Sequence, residues 1–133
     1  MMQASYFDPV SDNTVEVRDC SEDNVQRLLD VILALRSGRG HPALELTRAD
    51  GATLSLSTDG KLAYLVWTNS LGESFHSVGD GDLKGAPLVF DYLGSWSEAP
   101  PQYLVRFDDA VQCAKTFFRT GTADTDHVLF EPD

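Results

Sequence analysis

The chain has 133 residues and a formal net charge of −11, from 21 Asp and Glu against 10 Lys and Arg. At this length, with 42% hydrophobic residues and seven Phe, one domain with a packed core is expected, not a disordered chain. The acidity speaks against direct nucleic-acid binding, which needs a basic footprint, and against docking on anionic membranes.

Residues 1–13 read as a loose arm, closed by Asp8-Pro9 and Ser11-Asp12-Asn13. This start has no basic region and no apolar run, so no signal peptide is expected. No stretch is long and apolar enough for a membrane span, and the cytoplasm is the expected location. Thr14 to Arg18 alternates as a short strand. Ser21 then offers an N-cap, Glu22 and Asp23 suit a first helical turn, and Val25, Leu28, Leu29, Ile32 and Leu35 form an apolar stripe. Arg36 and Gly38 supply the stop, which predicts a helix over 21–37.

His41-Pro42 opens a run of strands. Leu44 and Leu46 alternate with Glu45 and Thr47, and Asp50-Gly51 turns the chain. Leu54 and Leu56 alternate with Thr53, Ser55 and Ser57, and Asp59-Gly60 is a two-residue hairpin signal. Lys61 to Trp67 is apolar on both faces, as a covered central strand is. Glu73 to Val78 and Leu88 to Tyr92 are further strands, separated by the glycine-rich acidic loop 79–85. Gly94-Ser95 breaks the last of these, and Pro100-Pro101 forces a stiff, extended corner. From about Phe107 to Thr120 a second stripe, Ala110, Val111, Ala114, Phe117 and Phe118, predicts a helix. Asp108 and Asp109 sit in its first turn, Arg119 and Gly121 close it, and Thr125 to Phe130 reads as a last short strand. The sum is α+β: a single antiparallel meander sheet of about five to seven strands, two helices on one face, and one domain over 1–133.

No catalytic constellation emerges. His41, His76 and His127 lack metal-ligand spacing. Asp80-Gly81-Asp82 falls short of a calcium loop, because the twelfth residue from Asp80 is Asp91, on a strand. There is no G-x-S-x-G, and Cys20 and Cys113 have no motif-like setting; Cys113 lies in a helical stripe, where cysteine packs as a small hydrophobe. Gly79, Gly81 and Gly85 do not match G-x-G-x-x-G, and the acids between them repel phosphate. Asp91 and Glu98 flank the Gly94-Ser95 break as a carboxylate pair, but acid/base work needs them in one cleft. The chain therefore reads as a binder and not an enzyme, with no cofactor and no metal.

Residues 60–130 carry a family resemblance. Gly94, Glu98 and Pro100 are followed by the helix Asp108-Asp109-Ala110-Val111-Gln112-Cys113-Ala114-Lys115-Thr116-Phe117-Phe118, then Thr120-Gly121 and a closing strand. This order resembles the Imm1 family of bacterial immunity proteins, with its Glu-x-Pro, Ala-x-x-Ala-x-x-Phe-Phe and Thr-Gly steps. Phe130 or Val128 stands where that family often has a Trp. The resemblance implies an antitoxin of polymorphic toxin systems that binds a cognate toxin domain, commonly a zinc-dependent nucleic-acid deaminase. An acidic surface suits the basic substrate groove of such a toxin. Residues 73–98 carry Glu73, Asp80, Asp82, Asp91 and Glu98 against Lys84, five negative charges to one positive, a net −4. With His76, and with Trp67 and Trp96 as aromatic anchors, these acids are the expected partner-binding set. For both tryptophans core packing is the competing reading. For the whole chain the competing reading is a generic acidic interaction or regulatory domain that self-associates through a sheet edge.

Overall fold

The computed structural model describes residues 2–35, 38, 40–79, 85–123 and 126–133. Eight strands make one sheet: β1 (Met2–Asp8), β2 (Asn13–Val17), β4 (Leu44–Arg48), β5 (Thr53–Thr58), β6 (Leu62–Thr68), β7 (Ser74–Val78), β10 (Val105–Arg106) and β11 (Leu129–Pro132). Their order is β11-β7-β6-β5-β4-β1-β2, with β10 also pairing β6, and every pair is antiparallel. Helices α1 (Asn24–Ala34) and α2 (Phe107–Thr120) cover one face. The fold class is α+β.

Strand alternation explains the core. Leu44, Leu46, Leu54, Leu56, Ala63 and Leu65 are all buried toward the helices. There they share one cluster with Val25, Leu29 and Ile32 of α1 and Ala110, Ala114 and Phe117 of α2. Each buried large aliphatic side chain contributes roughly 1.5–3 kcal/mol. Gly121, at φ +77, ends α2 in the left-handed conformation that only glycine adopts without strain. Arg48 caps the same end, its guanidinium 3.3 and 3.2 Å from the Phe117 and Phe118 carbonyls. A cation there meets the negative end of the helix dipole.

The edge of β6 is shared. β10 pairs Leu62 and Ala63, and β7 pairs Val66 to Thr68. Between the two, the Leu65 N–H donates to Ser77 Oγ at 3.0 Å, and Ser77 donates to the Tyr103 carbonyl at 2.8 Å. This explains a fully buried serine: without it the ladder would leave an orphaned N–H, at about 1–3 kcal/mol. Gly79 ties β7 to the proline corner, its N–H 2.9 Å from the Gln102 carbonyl.

Four expectations need correction. The arm 1–13 is not loose: Met2, Ala4 and Tyr6 are buried and β1 lies between β2 and β4. The first helix begins at Asn24, not Ser21, because the Asn24 carboxamide folds back onto the Ser21 N–H at 2.8 Å and spends the first turn. It ends at Ala34, and Leu35 is extended; residues 36 and 37 lie outside the described residues. The chain after Gly94 is a strand, β9 (Ser95–Ala99), hairpinned to β8 (Leu88–Tyr92). These two and β3 (His41–Pro42), which runs parallel to β8, form a second, three-stranded sheet beside the main one. The closing strand starts at Leu129, later than Thr125.

Candidate partner-binding face

The site grows out of the sheet face turned away from the helices. Pairing registers put Glu45 and Thr47 of β4, Thr53, Ser55 and Ser57 of β5, and Tyr64, Val66 and Thr68 of β6 on that face. Glu16, His76 and Glu131 extend it toward the two edges. Among the described residues of the eight-stranded sheet, Arg106 is the one Lys or Arg on this side. The helix layer differs. Its two helices carry Arg27, Lys115 and Arg119 against Asp30, Asp108 and Asp109, three of each sign. The helix layer is charge-balanced and the open face is acidic.

The β8–β9 hairpin lies over part of the open face. Phe90 meets Tyr64 with ring centroids 6.1 Å apart, above a small second core of Ala43, Leu88, Ala99 and Leu104. Beside this contact, hairpin and sheet enclose a trough of about 250 Å³. Its floor is Thr53, Ser55, Ser57, Val66 and Thr68; Phe90, Tyr92 and Ser97 form its roof. The Tyr92 hydroxyl donates to Glu45 Oε2 at 3.4 Å. Burial, and then the neighbouring Glu45 charge, raise the Tyr92 phenol above its ordinary value. Outside the trough the hairpin exposes Leu93 and Trp96, the latter 55% accessible. A two-residue turn makes this tip, with Leu93 at φ +50 and Gly94 at φ +93, the positive-φ geometry of tight hairpins.

An aromatic row crosses the rest of the face. Tyr64 stacks on Tyr103 at 6.3 Å, and Tyr103 meets the His76 ring at 4.4 Å. His76 Nδ1 is 2.6 Å from Asp133 Oδ1, and its Nε2 is 3.9 Å from Glu131 Oε2. Ser74 also donates to the Asp133 carboxylate. Burial works to raise the Asp133 carboxyl, yet the hydrogen bonds from Ser74 and His76, with the His76 charge, hold it below its ordinary value.

The expected partner-binding set is not one patch. Trp67 points to the helix side, partly buried, 5.0 Å from Phe75 and 6.0 Å from Phe130 between ring centroids. Glu73 is exposed in the turn before β7, held by the Asn69 carboxamide at 3.0 Å. His76 lies on the open face. Trp96 and Glu98 are exposed on β9. Asp80 and Asp82 lie outside the described residues. Asp91 is the correction: it is fully buried, and its Oδ1 accepts the Gly94 N–H at 2.7 Å, so its charge serves the hairpin and is not presented to a partner. Glu45, Tyr64 and Tyr92, which line the trough, are not among the residues expected from the sequence. Alternation marked Glu45 and Tyr64 as outward-facing on β4 and β6, but nothing local foretold the hairpin that brings Tyr92 over them.

The profile of the family described as Immunity protein Imm1 matches residues 12–131. The chain belongs to the Imm1 family. No curated protein matches it in sequence. Family membership gives this Imm1 chain the role of an immunity protein, with a cognate toxin as partner. The structure explains most of the family-like residues as scaffold. Gly94 and Gly121 hold positive φ, and Ala110 and Phe117 are buried. The Thr120 hydroxyl donates to the Thr116 and Thr122 carbonyls. Glu98 is the exposed carboxylate among them. Among the described residues no three His, Cys, Asp or Glu gather as a metal site, and no helix is long and apolar enough to cross a membrane. Cys20 and Cys113 are both buried, and no disulfide joins them.

Proposed function

We propose that this Imm1 protein acts in the cytoplasm of the toxin-producing cell. There it neutralises a nucleic-acid deaminase toxin by laying its acidic open face over the basic groove through which substrate enters. The observation that carries this reading is the charge asymmetry: two charge-balanced helices behind, and in front, among the described strand residues, Glu16, Glu45 and Glu131 against Arg106. A groove that holds nucleic acid must be basic, so an acidic cover competes for the same cations. A standard interface buries about 800 Å² on each partner, which one sheet face and the hairpin tip can supply. No step of chemistry is needed from the immunity protein itself.

The test is a pull-down of the toxin domain encoded beside this chain, at low salt, followed by a deamination assay on single-stranded substrate. A complex that abolishes turnover and is displaced by excess nucleic acid supports the reading. No complex at low salt overturns it, and so does a complex that leaves deamination intact. A discrete homodimer together with no toxin complex would favour self-association through a sheet edge.

A further inference from the structure

The trough between the β8–β9 hairpin and the sheet is the most specific feature of the open face, and the proposed function does not by itself explain it. Its volume of about 250 Å³ falls below the roughly 300–1,000 Å³ of a pocket for a drug-sized molecule. It suits one long side chain. The lining combines three kinds of group. Glu45 supplies a carboxylate, Ser55 among others supplies hydroxyls, and Tyr64, Phe90 and Tyr92 supply aromatic rings beside Val66. Among the described residues no Lys or Arg lines it. A carboxylate beside aromatic rings, in a space partly closed to water, is a receptor for a cation with an aliphatic stem. The rings attract the charge, the apolar walls cover the stem, and the hydroxyls and carboxylate accept its N–H groups. An anion would meet Glu45, and a purely apolar side chain would leave the hydroxyl floor without partners.

We infer that the trough seats one cationic side chain, lysine or arginine, presented by the toxin and received by Glu45 between the rings of Tyr64 and Tyr92. The inference rests on the proposed reading only for the identity of the partner. Leu93, exposed in the turn that follows Tyr92, then packs against the segment that carries the cation, while Trp96, paired with Asp91, stands on the other face of the hairpin. The raised phenol of Tyr92 agrees with a partly dry site that already holds a negative charge.

The test needs no toxin. The full chain, labelled with nitrogen-15, is titrated at low salt with N-acetyl-arginine amide, N-acetyl-lysine amide and their neutral counterpart N-acetyl-citrulline amide, into the tens of millimolar. Saturable shifts of the Ser55, Val66 and Tyr92 amides with a cationic probe, and none with citrulline, are expected. The two cationic arms show which side chain fits better. Glu45→Gln should weaken the response about tenfold while leaving the rest of the spectrum in place. No saturable shift with either cation overturns the inference; equal shifts with citrulline also do. Because the citrulline comparison uses the unaltered chain, a poorly folded variant cannot obscure the result. If the titration fails while the toxin is still captured, only the trough assignment falls. If it succeeds while no toxin complex forms, the proposed function falls and the receptor stands.

Discussion

Asp91 and Glu98 carry the same charge and have opposite fates. Asp91 is fully buried, with a hydrogen bond from the Gly94 N–H, while Glu98 stands in solvent one strand away. Removing a buried acceptor leaves its donors without a partner, which costs about 1–3 kcal/mol. Asp91→Ala should therefore lower stability by about 2 kcal/mol in urea denaturation. Glu98→Gln should stay within about 0.5 kcal/mol of the native chain and slow association with the toxin in stopped-flow measurements. A second residue-scale prediction concerns Asp133, which ties the β11 edge to β7 through Ser74 and His76. Its pKa is lower in the folded chain than its ordinary value. Its contribution is thus fully present above the ordinary carboxylate range and is lost as pH falls through the folded value. Asp133→Asn should lower the Tm near neutral pH, and the gap to the native chain should close in acid. A gap of constant size across that range would assign the effect to hydrogen-bond geometry instead of charge.

At the scale of elements, β7 and the proline corner meet closely at Gly79. A Cβ on Gly79 would stand 1.8 Å from the Leu104 carbonyl oxygen, a backbone atom that cannot swing aside. Gly79→Ala should cost about 3 kcal/mol or more by overpacking. Gly72→Ala has open space and only an unfavourable φ of +86 to bear, and should cost roughly 1–2 kcal/mol; paired denaturation curves check both. The close approach at Gly79 brings together residues 25 positions apart, so no local pattern could announce it. What was legible in the sequence was periodic. The stripe from Ala110 to Phe118 gave α2 its full span, and Leu44/Leu46, Leu54/Leu56 and Lys61–Trp67 gave the meander. β1 reads as a loose arm although Met2, Ala4 and Tyr6 alternate with Gln3 and Ser5, because the nearby Asp8-Pro9 and the position at the start of the chain mask a strand that pairs on both sides. β9 was not legible, because Ser95-Trp96-Ser97-Glu98-Ala99 is a polar edge strand between a glycine and two prolines. Its partner β8 defines it, and with it the trough. The trough depended on that one non-periodic hairpin, which is why Glu45, on the strand beneath it, is not singled out from the sequence.

On the scale of the whole molecule, the −11 charge matters through its placement. Two helices with three charges of each sign cancel one another. Of the remaining acids, Glu16, Glu45 and Glu131 stand on the face without helices, and Glu98 on the hairpin that lies over it. A face of one sign steers an oppositely charged partner before contact, which raises the association rate more than it slows dissociation. The Debye length shortens from about 30 Å at 0.01 M salt to about 8 Å at physiological strength, so steering should fade over that range. The association rate with the toxin should then fall steeply with added salt, while the dissociation rate changes little. Combined Glu16→Gln, Glu45→Gln and Glu131→Gln should slow association about tenfold at low salt and flatten the salt dependence. Arg27→Gln with Lys115→Gln, on the helix layer, should leave both nearly unchanged. An association rate indifferent to salt and to the open-face carboxylates would shift recognition onto the shape of the trough and the apolar tip at Leu93 and Trp96. The acidity would then serve solubility alone, and the toxin's contact surface need not be basic.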